Sequence, residues 1–355
     1  MARTVFIKLG AIGDMVQCLP ALRALKAGRP GVPLTVVTMR WSAPLLQLCP
    51  EIDEVIPAPG PGEGGILGRL WSWGSIIRNL RASHPDLVVV GHRNRMAMKV
   101  AWLTGAPERI GFDYRGHGWK LTRSVPFQVE DHEVDRYAAL VEAAGFPVPD
   151  RYPRMRMAPE RQEAIRLKFG FRPEWKYLVI HVSGGVNPGT AMLIKRWEAL
   201  KWAELCDRFI EDRPCHIVLI GSKDESQAVE EVIQAMNQPS VVNLTGRLTV
   251  EELAVVLSVC QGFVGGDSGP LHLAAALGLH TVGIFGPSDP RLVAPRGPNH
   301  RVAWHRVPCA PCYTPKSVWE GQDFSSCPIG THVCMKELEV DKVWKVVKEM
   351  LEEKV

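Results

Sequence analysis

Short, nearly unbroken apolar runs alternate along this chain with longer segments in which apolar residues recur every three or four positions. The first pattern fits strands buried on both faces, and the second fits helices that cover them. In the first half the runs predict strands over 4–9, 34–39, 87–91 and 109–112, with helices over 19–27, 67–82, 96–103 and 133–144. Between 146 and 159 stand Pro147, Pro149, Pro153 and Pro159. That density fixes φ and removes backbone donors too often for a helix or a central strand, so the segment reads as a linker. The second half repeats the alternation, with strands over 177–181, 215–220, 262–265 and 281–285 and helices over 160–169, 197–211, 226–236, 250–260, 271–278 and 338–353. Such alternation implies parallel sheets with right-handed crossovers. The expected fold class is α/β, with two Rossmann-like domains facing across a cleft and ligands bound outside the carboxyl ends of the strands.

Four polar stretches fall at those strand ends. The most informative is Gly265-Gly266-Asp267-Ser268-Gly269-Pro270-Leu271-His272. A glycine turn that feeds a helix opened by Pro270 aims backbone N–H groups and a positive dipole end at one point, which suits a phosphate. Asp267 or Ser268 could instead cap the helix, and His272 could be a core histidine. Ser183-Gly184-Gly185, followed by Lys195-Arg196-Trp197, offers small residues near which phosphate can approach the backbone and cations to neutralise a diphosphate. Its bland alternative is a loop with surface cations. Gly221-Ser222-Lys223-Asp224-Glu225 carries carboxylates that could accept ribose hydroxyls or cap a helix. Gly10-Ala11-Ile12-Gly13-Asp14 lacks the third glycine of the dinucleotide fingerprint, and Asp14 there is either a helix cap or a cleft carboxylate. No Asp-x-Asp pair occurs in the chain. A diphosphate would then be held by Lys195, Arg196 and helix ends, without the paired carboxylates that usually carry Mg²⁺.

Composition narrows the classes. At 355 residues two domains are expected, and the net charge of +4 is too small to argue for nucleic acid. Charge is uneven, however: residues 69 to 123 hold ten Arg or Lys against three acids, a local balance of +7. That stretch suits an acidic partner or an anionic surface, or it is a solvated face. Residues 268–288 carry no Asp, Glu, Lys or Arg, but Pro270 and several glycines divide them into a helix and a strand. No export signal or membrane span is evident, so a cytoplasmic location is expected, with any membrane contact made from the surface. Five of the nine cysteines are scattered in apolar contexts. Cys309, Cys312, Cys327 and Cys334 cluster, and they read either as a reduced, loop-rich flap or as four thiolates for zinc or iron–sulfur.

Leu9-Gly10-Ala11-Ile12-Gly13-Asp14 followed by Leu19-Pro20-Ala21-Leu22 resembles the N-terminal signature of the ADP-heptose:lipopolysaccharide heptosyltransferases, glycosyltransferase family 9. Lys195-Arg196-Trp197 and Asp267 to His272 resemble that family's two C-terminal motifs. Cys309-Ala310-Pro311-Cys312 through Cys327-Pro328 and Cys334-Met335 resembles the tail of its heptosyltransferase II branch. The resemblance implies a GT-B fold: an acceptor-binding domain over 1–155, a sugar-nucleotide domain over 156–335, and a last helix in 336–355 packed back on the first domain. It implies Asp14 as catalytic base and Lys195 as the diphosphate-binding lysine. Ser183, Gly184, Asp224 or Glu225, Leu248, Asp267, Ser268, Gly269 and His272 would hold the donor, although the family often has hydroxyl residues at both of the first two places. Lys8, Arg93 and Arg95 are expected to meet the acceptor. The partners implied are an ADP-sugar, a lipopolysaccharide core and the inner membrane face; no cofactor is implied. A non-catalytic sugar-nucleotide-binding protein and an NDP-sugar epimerase share the same architecture and stay open at this point.

Overall fold

The computed structural model describes residues 2–352 apart from 61–62, 114–115, 117, 185, 188–189, 213–214 and 239. The chain divides into two compact units, Met1–Pro153 and Arg154–Val355, so the division falls inside the proline-rich segment. The sequence had placed it after residue 155.

The first unit holds a six-stranded parallel sheet of β1 (Thr4–Ile7), β2 (Leu34–Met39), β3 (Glu54–Ala58), β4 (Leu87–Val90), β5 (Glu108–Phe112) and β6 (Arg123–Val125). Their spatial order is β3-β2-β1-β4-β5-β6. Every residue of β1 and β4 is buried, because helices cover both faces of the sheet; that is why these strands read as unbroken apolar runs. β3 and β6 escaped the sequence pattern because they are edge strands with exposed residues. Pro57 is tolerated in β3 because an edge position does not need its N–H for a second ladder.

The second unit holds β7 (Tyr177–His181), the small hairpin of β8 (Val186–Asn187) and β9 (Thr190–Ala191), then β10 (His216–Leu219), β11 (Val241–Asn243), β12 (Gly262–Gly266), β13 (His280–Phe285) and β14 (His300–Trp304). Its main sheet is also parallel, in the order β11-β10-β7-β12-β13-β14. Residues 268–288 form the helix Gly269–Ala276 and then β13. Among the described residues no helix is long and apolar enough to cross a membrane.

The first and last helices bear on the site and on the second core. The first runs Ile12–Gly28, starting inside the supposed glycine turn and carrying Pro20 in its interior. The last, Val340–Glu352, buries Val340, Val343, Val347 and Met350 along one stripe. That stripe belongs to the second unit's core, where Trp344 packs edge-to-face on Phe209 with ring centres 5.1 Å apart. The apolar spacing commits this stripe to β13, β14 and the helix Ala199–Asp212.

Candidate active site

In the second sheet the crossovers reverse between β7 and β12, so the loops leaving these strands diverge and open a crevice at their carboxyl ends. His181 ends β7 and leads into Ser183 and Gly184, while Gly266 ends β12 and leads into Asp267 and Ser268. Gly265 pairs with His181 across the ladder. A Cβ on it would lie 2.8 Å from the Phe263 ring and 3.1 Å from the His181 Cβ, so only glycine lets the two strands carry these side chains.

Asp267 is the centre of the crevice. Lys195, the last residue of the short turn Leu193–Lys195, donates to its Oδ2 at 2.6 Å. The Ser288 hydroxyl donates to the same oxygen at 2.6 Å, and His272 Nε2 lies 3.9 Å from Oδ1. All four residues are buried. Burial by itself would raise the Asp267 carboxyl; the Lys195 charge and the contacts of His272 overcome it and hold the group well below the usual carboxylate range. The Lys195 ammonium also sits 4.5 Å from the centre of the Tyr313 ring. Ser268 stands at the N-cap position of the helix Gly269–Ala276, yet no side chain caps that helix. The Ser268 hydroxyl lies 3.1 Å from His181 Nδ1 instead. Neither the Asp267 nor the Ser268 side chain therefore caps the helix, whose positive end is of the kind that suits an anion.

The structure separates the two carboxylates that the sequence left ambiguous. Glu225 is buried, accepts the Ser222 N–H at 2.7 Å and lies 3.5 Å from His181 Nε2. Burial would raise it, but the hydrogen bond and charge of His181 and the Ser222 N–H bring it down to about 2. Asp224 is exposed. The Gly246 N–H bonds the Gly221 carbonyl at 2.9 Å, which ties this loop to the one carrying the half-buried Leu248. The buried Ser183 hydroxyl adds to what holds Glu225 down, and Arg196 Nε is buried without a hydrogen-bond partner. Gly185, expected in the phosphate loop, lies outside the described residues.

The first sheet reverses between β1 and β4, and a second polar cluster forms there. Asp14 is the third residue of the helix Ile12–Gly28, so its carboxylate reaches back to the Ala11 N–H at 2.9 Å from inside the helix. Its other oxygen lies 3.6 Å from Lys8 Nζ, and about a third of its side chain is exposed (34%). Gly10 makes this possible: a Cβ there would lie 2.5 Å from Asp14 Oδ2 and 2.9 Å from Lys8 Cε. Lys8 is buried. Burial would lower its ammonium, but Asp14 and Glu133 outweigh that and raise it. The Tyr137 ring lies 5.1 Å from Lys8 Nζ, and its hydroxyl donates to Glu133 at 2.6 Å. His92, after β4, is pushed down to about 3 by burial and by Lys8 and Arg93. The sequence pointed to Lys8, Asp14 and Arg93 but missed Glu133, Tyr137 and His92. The only local signal was Glu133 and Tyr137 four apart on one helix. Arg93 stacks over the Phe127 ring at 3.6 Å, and Arg95 is exposed at the start of the helix that Asn94 caps. Arg115, counted in the basic stretch, lies outside the described residues.

The clustered cysteines buttress the Lys195 turn. Cys312 and Cys327 pack against Met192, Ile194 and Phe324, and His332 Nε2 lies 2.7 Å from the Ile194 carbonyl oxygen. The His332 N–H donates to Cys327 Sγ at 3.3 Å, while burial pushes Cys334 up to about 11. Among the described residues no group of three or more His, Cys, Asp or Glu is arranged to hold a metal ion, so the alternative of a four-thiolate site finds no support in this geometry. A separate cavity of about 1190 Å³, lined by Trp175, Tyr177, His216 and Gln261, lies at the amino ends of the strands. Open parallel sheets bind ligands at the opposite end, so this cavity is not the candidate site.

The sequence model of glycosyltransferase family 9 (heptosyltransferase) matches residues 73–321. Lipopolysaccharide heptosyltransferase 2 of Escherichia coli is 30% identical, over 83% of this chain and 87% of its own length. The solved structure of the E. coli ADP-heptose lps heptosyltransferase II superposes with a TM-score of 0.80 and 23% identity, covering 99% of this chain and 100% of that one. An E. coli heptosyltransferase solved with ADP superposes with a TM-score of 0.72 and 20% identity, covering 99% and 100%. The two six-stranded parallel sheets with flanking helices are the GT-B fold of these structures.

Proposed function

The chain belongs to glycosyltransferase family 9, the heptosyltransferases, and from that membership we propose that it moves heptose from ADP-heptose to the inner core of lipopolysaccharide, inverting the anomer without a metal ion. The observation that carries this reading is the buried Lys195–Asp267 pair beside an uncapped helix at the reversal point of the second sheet.

Displacing ADP from an anomeric carbon builds positive charge on the sugar and negative charge on the diphosphate. Lys195, held in place by Asp267, opposes the second charge, and the N-terminus of the helix Gly269–Ala276 adds its dipole. Ser183, Gly184, Ser268, Gly269 and His272 border the diphosphate. The exposed carboxylate of Asp224 takes the ribose hydroxyls, while Glu225 braces His181. Leu248 flanks the adenine. In the first unit Asp14 accepts the proton of the acceptor hydroxyl as that oxygen attacks the anomeric carbon from the face opposite the leaving diphosphate. An inverting glycosidase activates water with a carboxylate in the same manner. Lys8 orients Asp14, and Arg93 and Arg95 meet the anionic acceptor.

One assay tests the reading: pure protein with ADP-heptose, with and without a lipid A–core acceptor, following released ADP and the anomeric configuration of the product. Acceptor-dependent release that survives a chelator, with an inverted product, is expected. Release that needs no acceptor, or a retained anomer, would overturn the mechanism.

A further inference from the structure

A carboxylate, an imidazole and a hydroxyl stand in line past the carboxyl ends of β10, β7 and β12. Glu225 Oε2 lies 3.5 Å from His181 Nε2, and His181 Nδ1 lies 3.1 Å from the Ser268 hydroxyl. Glu225 and His181 are buried, whereas Ser268 is half-buried at the start of the helix Gly269–Ala276. The order of the groups fixes the protons. Glu225 is held down to about 2, so at neutral pH it only accepts, and Nε2 must carry the hydrogen that faces it. In a neutral ring Nδ1 is then bare and accepts the Ser268 O–H. The hydroxyl proton is committed to the ring, and only lone pairs are left to face an anion at the helix end. A proton on Nδ1 reverses that bond: Nδ1–H donates to Ser268 Oγ, and the hydroxyl is free to donate to the anion.

We propose that His181 is a positioning residue of the donor site: a nucleoside diphosphate binds there together with one proton, which sits on His181 Nδ1 and turns the Ser268 hydroxyl toward the diphosphate. The inference rests on the reading of this crevice as the ADP-sugar site. The proton comes from solvent as the complex forms and returns to it when the diphosphate leaves. The imidazolium lies between the Glu225 carboxylate and the bound anion, and both favour the charged ring. The other titratable groups of the crevice, Lys195 and His272, are directed at Asp267, at 2.6 Å and 3.9 Å. His300 of β14 shows what the carboxylate contributes. Its Nδ1 makes a like contact, 2.8 Å from the Thr281 hydroxyl, but its Nε2 is buried without a hydrogen-bond partner. Burial, with His272 and Arg301 adding to it, pushes that ring down to about 3. A histidine so placed stays neutral and leaves its hydroxyl partner's proton on the ring.

The test is calorimetric titration of the full chain with ADP and a chelator, in buffers of unlike ionisation enthalpy, which reads the protons taken up per ADP. Wild type, His181→Asn and Ser268→Ala are compared from pH 6.5 to pH 8.5, so the protons of ADP itself cancel. Wild type should take up more protons than His181→Asn, and its affinity should fall roughly fivefold from pH 7 to pH 8, against less than about twofold in that variant. Ser268→Ala, a small change at a half-buried position, keeps the question open to test if the buried His181→Asn does not fold. It should bind ADP roughly tenfold more weakly than wild type at pH 6.5, where the hydroxyl donates, and the gap should close toward pH 8.5. A merely structural serine would leave the gap constant. Equal proton uptake by wild type and His181→Asn, or a Ser268→Ala gap that does not change with pH, overturns the proposal. Absence of ADP binding by wild type overturns it together with the donor-site reading. Proton-linked ADP binding without acceptor-dependent transfer sustains the proposal and overturns the transferase reading alone.

Discussion

The two units thread six parallel strands in the same spatial order, and in each a key carboxylate stands near the carboxyl end of a strand flanking the reversal point. Asp267 and Asp14 nevertheless have unlike surroundings. Asp267 is buried, with two donors at 2.6 Å on one oxygen. Asp14 is one-third exposed, with a backbone N–H at 2.9 Å and an ammonium at 3.6 Å. A carboxylate locked by short donors is a fixed counter-ion and a poor proton acceptor. One with looser partners keeps lone pairs for a substrate proton. One topology thus places carboxylates in two unlike settings, one locked and one open, and the difference lies in the few residues after the strand.

The largest expected effect comes from removing the locked partner. Asp267→Ala leaves the buried Lys195 ammonium without its counter-ion, and breaking a buried pair from one side costs about 3–5 kcal/mol. A lower melting temperature and lost ADP binding in calorimetry are expected; a variant that melts and binds ADP like wild type would erase the contrast. Asp14→Asn keeps an oxygen for the Ala11 N–H but cannot take a proton. It should slow transfer by ~10²–10⁴-fold and leave ADP affinity and melting unchanged. Loss of ADP binding in this variant would mean the two carboxylates do not divide the work as argued.

How much of this was legible beforehand follows burial. The central strands β1, β4, β7 and β12 are buried throughout, so their composition announces them. β3, β6 and β11 are edges with exposed positions, and three to five residues leave no period to detect. The Asp267 stretch was readable because one segment holds both the glycine turn and its polar groups. The Lys8 cluster was only partly readable, because Lys8, His92, Glu133 and Tyr137 come from separate elements and meet only when the sheet forms. The same limit applies to the cysteines. Their spacing allowed a reduced flap or a set of ligands alike, and only the folded chain shows Cys312 and Cys327 packed behind the Lys195 turn.

A smaller effect separates the units by pH. His92 in the first and His300 in the second are both pushed down to about 3, chiefly by burial, from an ordinary 6.5. The folded chain keeps them neutral, while the unfolded chain binds protons below 6.5. Stability from each is complete above 6.5 and declines as pH falls from there toward 3. Glu225, lowered to about 2 from 4.5, adds a loss only below 4.5. Melting temperature should therefore fall between pH 7 and pH 5 before any carboxylate contributes. Hydrogen exchange should assign the slope lost in His92→Asn to the first unit and that lost in His300→Asn to the second. A flat profile over that range would remove both histidines from the account.

The smallest expected effect is at Gly184, and it sharpens the contrast with Gly10. A Cβ on Gly10 would collide with the Asp14 carboxylate at 2.5 Å. On Gly184 it would meet only Ser268 Cβ at 3.8 Å and the Asp267 carbonyl oxygen at 4.0 Å, which is ordinary contact. Gly184→Ser should therefore fold as wild type. Its hydroxyl adds one donor beside Ser183, and a hydrogen bond to a charged group is worth about 1.5–3 kcal/mol at best, with much of that offset by lost hydration. ADP affinity is expected to rise by no more than roughly tenfold, with the transfer rate unaltered. Calorimetry that shows weaker ADP binding in a stably folded Gly184→Ser would move the diphosphate away from this loop and leave the helix end at Gly269 and Lys195 to hold it alone.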